Sequence, residues 1–253
     1  MKNYLLLAIY LSFMLVISPS ELFAQQKVTR IGLTKAASPT TKGFIDKKSV
    51  FNVDALDSLR LCDDYVMLIS SYDGCMPCEW LRTSDVFDTY PISPYYTDFL
   101  LNDMNQTVPY TFFVTGFPTC FFFDKKGEIV AVTSGVSNYG EKLEKIVKGK
   151  ESICEHKIDG ISDELLLPFF NNSFSASKAY MKKEMSDVYK YATKAMEIYP
   201  NFYNKYLLYQ YYLSQNNIEA ANKYKASALD DAGRLDKIIY KKLIKELTDE
   251  TDN

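Results

Sequence analysis

The residues best suited to covalent chemistry are Cys75 and Cys78, held three positions apart by Met76 and Pro77. The thiolate is the nucleophile of cysteine chemistry, and two thiols at this spacing can close on each other or act in turn on a third sulfur. A C-x-x-C pair can also be half of a structural zinc site. Such a site needs four donors, and with no second pair only Cys154, Glu155 and His156 could contribute. His156 is the only histidine and reads as a surface residue, so cysteine–histidine nucleophilic catalysis lacks sequence support. Redox chemistry is the reading that remains. No cofactor and no metal is expected with it.

The flanking residues say how the pair would be held. Tyr65–Ser71 is a run of strand length whose apolar content is that of a central strand covered on both faces. Tyr72–Arg82 then reads as a turn opening a helix, which Pro77 can begin without sacrificing a needed amide and which should fade by Tyr90, before Pro91 and Pro94. Helix N-terminal amides favour a thiolate, which makes Cys75 the attacking sulfur. Cys78, on the inner side of the same turn and shielded by it, is the sulfur that resolves a mixed disulfide. Trp80 is expected to form a wall near the pair.

Further along, Asn52 or Asp54 can cap a short helix carrying Val53, Leu56, Leu59 and Leu61. Strands are expected at Tyr95–Leu101, Cys120–Phe123 and Ile129–Val132, the last two joined by a hairpin turn at Asp124–Glu128. A helix from about Asn138 to Lys148 closes this half, giving an α/β sandwich around a mixed sheet. Cys120 reads as a small packing residue, with a disulfide to Cys62 or a regulatory role as the alternatives.

With these elements in place, Cys75-Met76-Pro77-Cys78 resembles the active-site motif of the thioredoxin superfamily, and Gly116-Phe117-Pro118-Thr119 resembles its cis-proline loop. The resemblance covers residues 50 to 148, and the 43 positions between Cys75 and Pro118 leave room for the intervening helix and strand. It implies a thioredoxin-like sandwich, catalytic Cys75 and Cys78, a cis Phe117–Pro118 bond, and substrate pairing with the backbone of Phe117 beside Pro118. The chain departs from the family in two places. Gly74 stands where many members have an aromatic residue, and Ile69 stands six positions before Cys75 where many have a buried acid. Asp73 and Glu79 are the substitute carboxylates.

The whole chain has 253 residues, room for two small domains. Met1–Ala24 has the layout of a cleaved secretory signal peptide, with a short apolar run after Lys2 and a small residue at Ala24. Residues 25–49 read as a flexible lead-in. Export by this segment places the protein in the periplasm or another extracytoplasmic compartment, where disulfides can form and persist. Five cysteines are too few and too scattered for a disulfide-stapled scaffold, and a net charge of −3 argues against nucleic-acid binding.

Residues 50–149 form the expected thioredoxin-like domain and 150–253 a separate all-helical one. Eleven of the twenty tyrosines lie between Tyr180 and Tyr240, and no run there has strand character. Leu208, Tyr212, Ala221, Ala228 and Leu229 have spacings that resemble the tetratricopeptide repeat, around a hairpin turning at Gln215–Asn217. Asn171-Asn172-Ser173 matches a glycosylation acceptor by chance. The expected function is thiol-disulfide exchange on exported proteins, with an unidentified redox partner and the helical domain as a docking module. The alternative is a non-enzymatic binding protein in which the same cysteines form a permanent structural disulfide.

Overall fold

The structure, a computed structural model, describes residues 65–72, 74–87, 89–90, 92–99, 114, 116–149, 152–232 and 237–249. The expected signal peptide, lead-in and short helix after Asn52 lie outside the described residues, as does Cys62.

The described strands are β1 (Tyr65–Tyr72), β2 (Ile92–Phe99), β3 (Thr119–Phe123), β4 (Ile129–Ser134) and the two-residue β5 (Ile153–Cys154). They form one mixed sheet in the order β2-β1-β3-β4-β5. β1 runs parallel to β2 and antiparallel to β3, β3 is antiparallel to β4, and β4 is parallel to β5. Met67, Leu68 and Ile69 of β1 are wholly buried, which is why that strand reads as continuously apolar. A parallel β1–β2 pair requires a crossover, and α1 (Met76–Thr83) lies within it.

Two boundaries differ from the sequence reading. α1 ends at Thr83 rather than near Tyr90, because local oxygens take over the backbone's partners. Thr83 donates to the carbonyls of Glu79 and Trp80, and Ser84 Oγ accepts the Val86 amide. β2 begins at Ile92 and includes Pro94, three residues ahead of the expected start. It lies at one end of the described sheet, where a proline costs no ladder bond when its nitrogen faces away from the neighbour. The β3–β4 turn is as expected: Asp124 Oδ1 accepts the amides of Lys126 and Glu128.

Both sheet faces are covered. On one, Met67, Ile69, Cys120, Phe122 and Ala131 pack with Leu81 of α1 and with Tyr139, Leu143 and Ile146 of α2 (Tyr139–Lys148). On the other, Leu68, Phe121, Phe123 and Val132 pack with Leu166, Phe169, Phe170 and Phe174 of α3 (Asp163–Lys182). Phe121 meets Phe170 edge-on at 5.9 Å, and Phe123 lies 5.0 Å from Phe174. Asn171 ties α3 to β4 by accepting the Ile129 amide at 2.7 Å and donating to the Ile129 carbonyl at 2.9 Å. That side chain is thus committed to the fold.

The apolar core therefore continues across Gly149, and the region after it is not all-helical as expected, because β5 extends the sheet beside β4. A fully buried phenylalanine contributes about 1.5–3 kcal/mol, and Phe121, Phe123, Phe169 and Phe170 are all wholly buried at this seam. α3 belongs to the sheet energetically as well as to the helices that follow.

Those helices are α4 (Met185–Ile198), α5 (Phe202–Ser214), α6 (Ile218–Ala232) and α7 (Lys237–Asp249). The α5–α6 hairpin turns where expected, with Asn216 in the left-handed region and Asn217 Oδ1 accepting the Ala220 amide. Ala192, Ala195, Ala221 and Ala228 are wholly buried, consistent with small residues letting helices approach. Among the described residues, no helix is long and apolar enough to cross a membrane.

Candidate functional site

β1 carries the chain to Gly74, whose φ of +86° turns it into α1. Cys75 is the N-cap of that helix, with Pro77 in its first turn. Cys75 and Cys78 are joined in a disulfide, with their Cα atoms 5.2 Å apart. The Cys78 amide donates to Cys75 Sγ at 3.2 Å, and the Glu79 amide donates to the Cys75 carbonyl at 3.0 Å. An amide aimed at Cys75 Sγ, at the positive end of the helix dipole, stabilises negative charge on that sulfur.

Burial does not distinguish the two cysteines as the sequence reading supposed: Cys75 is 2% exposed and Cys78 is 1% exposed. The helix terminus does, because the amide points to one sulfur and not the other. Exposed residues surround the pair, namely Gly74, Met76, Pro77, Glu79 and Trp80. Trp80 follows the pair by two positions on the same helix. It is 45% exposed, one turn beyond Met76 on the outer face of α1, while Cys78 and Leu81 occupy the buried face.

Topology brings the second motif to the same end of the sheet. β3 pairs antiparallel with β1 so that Thr119 faces Ser70, and Pro118 lies one step beyond, toward the end where β1 leads to Cys75. The Phe117–Pro118 bond is cis. The Pro118 carbonyl accepts the Gly135 amide at 3.0 Å, and the Thr119 hydroxyl donates to the Gly116 carbonyl at 2.7 Å. Pro118 is buried, Phe117 half-buried and Gly116 exposed.

Among the described residues, no carboxylate occupies a buried position beneath α1. Ile69 is wholly buried there and pairs with Cys120 across the strands. Glu79 is exposed, and Asp73 lies outside the described residues. Burial pushes the Cys120 thiol up to about 12, partly offset by hydrogen bonds with Tyr139 and Thr133, so the group stays protonated. Tyr139 Oη lies 3.1 Å from Thr133 Oγ1 and donates to Met67 Sδ at 3.4 Å, a buried polar cluster that sequence reading missed. Its signal was the Tyr139, Leu143 and Ile146 stripe, which places the tyrosine inward.

Cys120 and Cys154 are both free thiols. Burial raises Cys154 to about 11, and its Sγ donates to the His156 carbonyl at 3.7 Å. His156 is buried rather than on the surface, stacked 5.6 Å from Phe170. From Cys154 to Ile158 the side chains alternate, with Cys154, His156 and Ile158 turned inward and Glu155 and Lys157 exposed. Phe170 packs on the sheet face opposite α1, so the histidine is not placed to serve the cysteine pair. Among the described residues, no group of three His, Cys, Asp or Glu side chains could hold a metal ion.

Neither a scan of the chain against protein-family models nor a search of curated proteins finds a match.

Proposed function

We propose that the protein is an exported thiol-disulfide oxidoreductase of thioredoxin-like fold that acts on other exported proteins. The observation that carries this reading is Cys75 at the N-cap of α1, its sulfur accepting the Cys78 amide and bonded to Cys78 Sγ. The β-α-β arrangement of β1, α1 and β2, and the Pro118 loop at the same sheet end, support it.

In the reductive direction, the Cys75 thiolate attacks one sulfur of a substrate disulfide, and the other substrate sulfur leaves as a thiolate. Cys78, once deprotonated, attacks Cys75 Sγ and releases the remaining substrate thiolate. One S–S bond is exchanged for another, and two electrons pass from the pair to the substrate. The oxidative direction is the same sequence reversed, and a redox partner resets the pair in either case. The substrate lies along the Phe117 backbone beside Pro118, with exposed Met76 and Trp80 next to it. The tetratricopeptide-like helices serve as a docking module.

The two sulfurs have different jobs, which supplies the test. With Cys62, Cys120 and Cys154 replaced by Ser and the leader intact, Cys78→Ala should trap exported proteins in complexes that disappear with reductant. Cys75→Ala should trap few or none. Equal trapping by both would remove the assigned roles. Absence of trapping in either would leave the alternative, a binding protein with a structural disulfide.

A further inference from the structure

We propose that the helical region positions the exchange groove through the side chain of Phe117, an inference that rests on the exchange chemistry assigned above to Cys75 and Cys78. The helices close a core of their own around Ala176, Val188, Tyr203, Leu207, Ala221 and Leu247. Among the described residues, Phe117 is the one hydrophobic side chain from outside the helices that packs against this core. It also packs against the core between the sheet and α3. Phe117 thus sits where the two cores meet, directly before Pro118.

The ring and the backbone of this residue face different tasks. The side chain packs against the helical core and against the core between the sheet and α3. The backbone on either side of it is held separately, where the Pro118 carbonyl accepts the Gly135 amide and Thr119 bonds to the Gly116 carbonyl. The segment so fixed lies at the sheet end where Cys75 emerges. An extended polypeptide substrate has to pair with that backbone, whereas a small disulfide needs only access to a sulfur. Removing the ring leaves a cavity that its surroundings fill only in part, and the loop moves toward it. A displacement of about 1 Å at a reacting geometry can slow reaction about 100-fold. Phe117 is therefore a positioning residue, and large substrates feel its loss most.

The test compares the mature full chain with its Phe117→Ala and Phe117→Leu variants, each first reduced with dithiothreitol and freed of it, using oxidised glutathione as the small disulfide and insulin as the protein one. In Phe117→Ala the ratio of the insulin rate to the glutathione rate should fall about tenfold or more, chiefly through KM. Hydrogen exchange at the Gly135 amide should accelerate, and Phe117→Leu should recover most of both changes. A parallel fall in the two rates, or an unchanged ratio and unchanged Gly135 exchange, would overturn the inference. If Phe117→Ala is unfolded by circular dichroism, the same readouts on Phe117→Leu decide, with a smaller fall expected. If the parent chain itself fails to exchange with glutathione, the exchange reading has failed, which is distinct from an active chain whose ratio ignores Phe117.

Discussion

Gly74 governs how the chain enters the redox helix. Its φ of +86° lies where a side chain is strained, and a Cβ added there would meet nothing within 4 Å. The cost of Gly74→Ala is therefore backbone strain alone, about 1–2 kcal/mol, to be read from the urea midpoint. The same geometry disfavours the aromatic residue that many thioredoxins carry at this place. Cys120 gives a pH signature. Its folded thiol titrates near 12 against a usual 9.0, so the native state holds the proton longer than the unfolded chain. The resulting stability is fully present below pH 9 and is lost as pH rises toward 12. Relative to the parent, Cys120→Ala should flatten the fall in stability across that range, with a slope difference of up to about 1.4 kcal/mol per pH unit. At this scale the pair was legible because spacing and helix start coincide, whereas His156 was misjudged from its residue type. The alternation from Cys154 to Ile158 was the better guide to its burial.

At the level of elements, α3 is the piece whose role exceeds its pattern. Leu166, Phe169, Phe170 and Phe174 concentrate more apolar bulk than a helical hairpin needs, and the sheet is what absorbs it. Phe170→Ala should destabilise the chain by about 3–5 kcal/mol. Asn171→Ala should cost about 1–3 kcal/mol through the half-buried Ile129 amide it leaves unpaired. Denaturant titration checks both. A fragment ending at residue 150 would expose the face formed by Leu68, Phe121 and Phe123, so fragments meant to isolate the chemistry need α3 as well. β1, the hairpin and the α5–α6 turn were legible because apolar runs and turn residues act locally. The end of α1 and the start of β2 were not, since competing hydroxyls and a position at the edge of the described sheet decided them.

Across the whole molecule, a core shared through α3 and the Phe117 contact make the two halves depend on each other. Calorimetry should then show one transition whose measured and van't Hoff enthalpies agree, where independent halves would give two. The exchange activity of the Cys75–Cys78 bond is tested most directly by equilibrating the chain in graded glutathione buffers. Mass spectrometry after alkylation would count reduced pairs, with Cys62, Cys120 and Cys154 replaced by Ser. An exchanging pair is reduced reversibly with a midpoint between roughly −270 and −120 mV. A pair that stays oxidised throughout, with a potential below about −300 mV, is a structural disulfide and contradicts the exchange reading.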